Sequence, residues 1–135
     1  MYNFEYKNPV KIIFGKDTIS KVAKTIPANA KVLMTYGGGS IKKTGIYDQV
    51  KLALKDVELL EFGGIEANPH YETCMKAVEI VKNEKIDFLL SVGGGSVLDA
   101  TKFIAAAALY KKNDPWDILA KSNIVVVKEA LPIGA

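Results

Sequence analysis

The sequence predicts an α/β fold, a parallel sheet with helices on both faces, folded as a single domain over residues 1–135. Three observations carry that prediction. Apolar runs too short for helices, at 31–36, 57–62 and 88–92, alternate with stretches of helical periodicity, and this order implies parallel strands joined by crossovers. Two of the runs end in the same tetrapeptide, Gly-Gly-Gly-Ser, at 37–40 and 93–96. The third ends in a loop, Gly63 to Pro69, whose glycines, Asn68 and proline resist regular structure.

Each element has its own reason. Residues 3–14 mix apolar and polar positions, and Tyr6, Val10, Ile12, Ile13 and Phe14 suggest a strand. Asp17 is the expected N-cap of a helix whose inner face is Ile19, Val22, Ala23 and Ile26, stopped by Pro27. Past the first glycine turn, Ile46, Val50, Ala53 and Leu54 mark one face of a helix over 46–55. The spacing of Met75, Val78 and Val81 predicts a helix over 71–83, with Lys76, Glu79 and Lys82 outward. Ser96 stands where an N-cap belongs, and the alanine-rich stretch after it predicts a helix to about Tyr110. Asn113-Asp114-Pro115 breaks that helix, a short turn of helix is expected over 115–119, and 124–133 reads as an interrupted strand.

Composition narrows the function. The formal charge is only +3, with 18 basic residues scattered against 15 acidic ones, so no nucleic-acid partner is expected. The apolar stretch Phe103 to Tyr110 is far below the ~20 residues of a membrane span, so no membrane is expected. Met1 to Val10 does not read as a secretory signal, and the lone Cys74 allows no internal disulfide, which fits the cytoplasm. Cys74 is expected to fill core on a helix. His70 is the only histidine, and with one cysteine it makes no convincing metal site in these residues. Asp114 and Asp117 read as loop caps.

The glycine turns carry the chemistry. Strand, glycine turn and helix N-terminus together present free N–H groups and the positive end of a dipole, an arrangement suited to phosphate; a plain tight turn is the alternative. Both turns and the Asn68-Pro69 loop fall at the carboxyl ends of strands, where ligands of parallel sheets bind. Neither Gly-x-Gly-x-x-Gly nor the ATPase P-loop is present, since positions 42 and 98 hold Lys42 and Leu98. Ser40, Lys42 and Lys43 suit an extra phosphate, and no acid precedes Asp48 to accept a ribose hydroxyl, which favours NADP(H) over NAD(H). A carboxylate placed at Gly39 is accordingly expected to reverse that preference. Two readings stay open beside this one: Lys42 and Lys43 as a solvated approach to the helix, and Glu61 as an ordinary ribose-binding acid. Asp99, three residues after Ser96, either closes the helix start or reaches the cofactor.

These stretches together resemble the N-terminal part of the iron-type, metal-dependent (group III) alcohol dehydrogenases, on the branch of NADP-dependent butanol dehydrogenases and aldehyde reductases. The likeness rests on Pro9 to Lys16, Thr35 to Ser40 with Lys42 to Gly45, Glu61 to Glu66 with Asn68-Pro69, Val92 to Asp99 with Thr101 to Ala105, and Asp114 to Trp116. The resemblance implies a Rossmann-like dinucleotide-binding domain, and oxidation of alcohols or reduction of aldehydes with NADP(H). It implies that Gly38, Gly39 and Ser40 lie at the adenosine ribose phosphate, and that Gly94, Gly95 and Ser96 lie on the pyrophosphate with Asp99 close by. Asn68 falls at the adenosine end. The family's C-terminal helical domain, which supplies one Asp and three His to a divalent metal, iron or zinc, is expected outside these residues. These residues alone are therefore expected to be inactive, with an exposed apolar face and a homodimer formed through residues 3–14. A non-catalytic nucleotide- or phosphate-binding module is the alternative function.

Overall fold

A computed structural model describes residues 3–135; Met1 and Tyr2, the start of the stretch read for a secretory signal, lie outside the described residues. Four parallel strands, β1 (Lys31–Tyr36), β2 (Glu58–Phe62), β3 (Phe88–Val92) and β4 (Ile133–Gly134), form one sheet in the order β2-β1-β3-β4. The helices are α1 (Ser40–Lys43), α2 (Ile46–Ala53), α3 (Tyr71–Asn83), α4 (Gly95–Leu109) and α5 (Asp117–Ala120), with a 3-10 helix at Ile19–Thr25.

Side chains alternate across a strand, so β1 and β3 feed two cores. Val32 and Met34 with Phe88 and Leu90 pack under α2 and the 3-10 helix. Leu33 and Leu89, one residue along, face α3 and α4 on the other side. Both faces are therefore covered, as the near-continuous apolar runs require. Cys74 does fill core: it is buried on α3, and burial, then the Glu66 charge, pushes its thiol pKa up.

Five expectations are corrected. Residues 3–14 form no strand and are exposed throughout, pairing with neither outer strand of the sheet, so their backbone groups are left to water. The first helix is 3-10 rather than α, and Asp17, at φ 58°, does not cap it; the preceding-proline effect on Ile26 (ψ 135°) does end it. The 46–55 helix stops at Ala53, two residues short. Gly94, not Ser96, occupies the N-cap of α4, so Ser96 lies inside the first turn. The 124–133 strand shrinks to Ile133–Gly134, since Lys128, Glu129 and Pro132 interrupt it and Ile124 and Val126 find no neighbour (81% and 74% exposed).

Candidate functional site: two glycine turns at the switch point of the sheet

β1 and β3 are adjacent, with Tyr36 opposite Val92, so the two Gly-Gly-Gly-Ser turns leave the sheet side by side. From β1 the chain crosses to β2 on one side, and from β2 it returns past β1 to β3 on the other. This reversal opens a crevice between β1 and β3 at their carboxyl ends.

Within each turn the glycines differ. The first is needed by the chain itself. A Cβ on Gly93 would lie 2.7 Å from Val97 Cγ2, and one on Gly37 would lie 3.3 Å from the Ile65 carbonyl oxygen. The second and third face open space: nothing lies within 4 Å of a Cβ placed on Gly38, Gly39, Gly94 or Gly95. Gly39 has φ 107°, which favours glycine whatever its surroundings. No such backbone need applies to Gly38, Gly94 or Gly95. The space their missing side chains leave is a cradle of the kind a phosphate-bearing ligand fills.

Below the second turn, α4 runs for 15 residues with no side chain capping its start and no acid in its first turn. Its leading N–H groups are thus free for an anion. Asn68, held at φ 53°, donates its backbone N–H to Ser96 Oγ at 3.4 Å and so brings the loop after β2 against the turn. Asp99 is exposed and makes no capping bond. It lines a cleft of about 420 Å³ with Pro69, His70, Tyr71, Phe103 and Trp116. Asp114 does cap its loop, accepting from Trp116 N (2.9 Å) and Tyr71 Oη (2.8 Å), and these bonds hold its carboxyl below the usual range. Asp117 is paired with Lys121 at 3.1 Å.

Beside the first turn lies a cluster that sequence reasoning did not assemble. Glu61 accepts from Tyr47 Oη at 3.0 and 2.9 Å and from Lys51 Nζ at 2.7 Å, with Tyr36 Oη at 3.5 Å. Burial pushes the Glu61 carboxyl up, but the Lys51 and Tyr47 bonds outweigh it and hold it low. Lys42 Nζ lies 4.9 Å from the Tyr47 ring centroid and 5.3 Å from that of Tyr36. A signal was present: Tyr47 and Lys51 are four apart on α2, and alternation puts Tyr36 and Glu61 on the sheet face that α2 covers. Among the described residues, no three His, Cys, Asp or Glu side chains converge as a metal site.

The family model described as iron-containing alcohol dehydrogenase matches residues 9–135. The chain belongs to the iron-containing alcohol dehydrogenases. Within this family it is 57% identical over 135 residues to the NADPH-dependent aldehyde reductase YqhD of Escherichia coli, covering 99% of this chain and 35% of that protein. A substrate- and cofactor-free structure of the same reductase superposes with a TM-score of 0.91, over 98% of this chain and 35% of that one. The NADH-dependent butanol dehydrogenase A of Thermotoga maritima is 47% identical with a TM-score of 0.87, over 98% of this chain and 34% of that one. The chain thus spans about a third of the length of the relatives it matches. Among the described residues of this iron-containing alcohol dehydrogenase chain, no helix is long and apolar enough to cross a membrane.

Proposed function

We propose that this chain is the NADP(H)-binding domain of an alcohol dehydrogenase or aldehyde reductase. The observation that carries the reading is the pair of adjacent glycine turns whose second and third glycines face open space at the switch point. Gly94, Gly95 and Ser96 hold the pyrophosphate on the free N–H groups of α4. Gly38, Gly39 and Ser40, with Lys42 and Lys43 nearby, take the phosphorylated adenosine ribose. Asn68 closes over the adenosine end, and Asp99 stands at the cleft side of the cofactor.

When bound, NADP(H) supplies or accepts the hydride exchanged with a small alcohol or aldehyde. These residues bind and orient it and are inactive by themselves. A divalent metal, iron or zinc, is held by a helical domain outside them. The lone buried cysteine suits a cytoplasmic enzyme. The apolar, exposed segment 3–14, with Phe4 88% and Phe14 95% exposed, pairs with its counterpart in a homodimer.

The test is titration of NADPH and NADH into the purified chain, followed by fluorescence. Preference for NADPH by about tenfold or more, the scale of one charge-assisted phosphate contact, is the expected result. Equal affinities overturn the NADP assignment. Binding of free phosphate alone, without either dinucleotide, favours a non-catalytic phosphate-binding module.

A further inference from the structure

The loop from Gly63 to Pro69 touches both glycine turns. Its start is tied to the first: Gly64 N–H donates to the Gly37 carbonyl at 3.1 Å, and Ile65 N–H to the Tyr36 carbonyl at 3.2 Å. Its far end meets the second, where Asn68 N–H reaches Ser96 Oγ at 3.4 Å. A backbone N–H can only donate, so Ser96 Oγ is the acceptor in that contact. The Ser96 hydroxyl proton is therefore not spent there and stays free for another acceptor. Ser96 stands in the first turn of α4, among the free N–H groups of that helix.

The side chain that anchors the far end of the loop is Glu66. Its Oε1 accepts from Thr73 Oγ1 of α3 at 2.6 Å, and its Oε2 is closed off from solvent. The Thr73 bond first, and the nearby backbone N–H groups of Glu66 and His70 with it, hold the carboxyl below the usual range against burial. An anion thus faces the start of α3, whose N-cap residue His70 makes no side-chain capping bond, and the helix dipole favours negative charge there. Two residues further on, Asn68 is held at φ 53° with its N–H turned to Ser96.

We propose that Glu66 is a positioning residue for the bound cofactor. With Thr73 it fixes the loop so that Asn68 N–H occupies Ser96 Oγ as an acceptor and leaves the Ser96 hydroxyl to donate to a pyrophosphate oxygen. A donor whose orientation is set beforehand loses less freedom when the ligand arrives. The inference rests on the reading above that places Ser96 on the pyrophosphate.

The experiment titrates NADPH, followed by fluorescence, into the wild-type chain, Ser96→Ala, Glu66→Ala, Thr73→Val, Thr73→Ser and the double variant Glu66→Ala/Ser96→Ala. Ser96→Ala removes the donor and is expected to weaken NADPH binding about tenfold, the scale of one charge-assisted phosphate contact. Glu66→Ala frees the loop and should weaken it by a similar factor. Thr73→Val should act in the same direction by less, while Thr73→Ser keeps the hydroxyl and should bind as wild type does. The double variant is expected to fall well short of the product of the two losses, because Glu66 acts through the Ser96 hydroxyl. Fully multiplied losses, or unchanged affinity in Glu66→Ala, overturn the inference, since a merely structural role for the loop would weaken Ser96→Ala further. Should Glu66→Ala not fold, unchanged affinity in Thr73→Val overturns it alone. Unchanged affinity in Ser96→Ala overturns the pyrophosphate reading itself, whereas a loss there with none in the loop variants overturns only the positioning role.

Discussion

The hydroxyls of Thr35 and Thr101 lie 2.6 Å apart with both residues fully buried, joining the end of β1 to the first turns of α4. Thr101 Oγ1 also lies 2.7 Å from the Val97 carbonyl, which can only accept. Thr101 therefore donates to Val97, and Thr35 donates to Thr101. This chain of two bonds runs directly beneath the two glycine turns and ties the strand of one to the helix of the other.

Breaking the pair from one side leaves a buried hydroxyl without its partner. Thr101→Val is expected to destabilise the fold by about 1–3 kcal/mol. Thr35→Val should cost less, because Thr101 keeps its donation to the Val97 carbonyl. The double variant replaces both with apolar groups of the same shape and should recover part of the loss, a non-additivity that urea denaturation of the three proteins measures.

The division of labour within each glycine triplet separates packing from binding. Gly93→Ala drives a Cβ against the stiff Val97 side chain and is expected to lower stability by about 1–3 kcal/mol. Gly94→Ala meets nothing within 4 Å and has an ordinary extended backbone (φ −86°), so stability should stay within about 0.5 kcal/mol of wild type. Its NADPH affinity should fall tenfold or more, because the methyl enters the space assigned to the pyrophosphate. Thermal melts and cofactor titration on the same two variants read both outcomes.

Gly39→Asp is expected to turn the preference from NADPH to NADH, since the carboxylate opposes a 2′-phosphate and accepts a free hydroxyl. The structure adds a second consequence. Gly39 stands at φ 107°, where a side chain is strained, so the variant should also lose about 1–2 kcal/mol of stability. A reversed ratio without destabilisation would contradict the backbone geometry, and destabilisation with an unchanged ratio would contradict the ribose assignment.

Acid should weaken the fold through Glu61. Its folded pKa lies below the unfolded value, so the stability it contributes is present above the ordinary carboxylate range and is lost as pH falls through the folded pKa. Glu66 and Asp114 are lowered too and act in the same window. Lys51 is raised, so its share is lost only at the alkaline end, as pH rises through its folded value. Glu61→Gln should therefore lower stability at neutral pH, change it little in acid where the wild-type carboxyl is already protonated, and so flatten the acid limb of a stability–pH curve below about pH 5.

Residues 3–14 expose Phe4, Tyr6, Val10, Ile12 and Phe14 together. Light scattering of the purified chain is expected to report dimers or larger species at micromolar concentration, and replacing Phe4 and Phe14 with serine should shift it towards monomer. A wild-type monomer across that range would remove the segment as a dimer interface.

Period and punctuation in the sequence were enough to place the main elements. The bounds of β1, β3 and α3 follow from apolar runs and helical spacing, because these segments bury faces set by their own local periods. The paired Gly-Gly-Gly-Ser turns were legible for the same reason, as glycines at strand ends mark where backbone must turn or approach a ligand. Other features depend on which elements become neighbours. Tyr47 and Glu61 meet only because β2 takes the outer place beside β1 and α2 covers that face, so spacing and alternation could give each residue its face but not its partner. Gly94 rather than Ser96 caps α4, so Gly95 and Ser96 both join the helix, a choice of backbone angles that propensity does not encode. Segment 3–14 has strand-like residues yet no strand, since a strand exists only where another edge accepts its hydrogen bonds. Local chemistry thus chose the elements, while the sheet order decided which charged and hydroxyl groups face one another around the glycine turns.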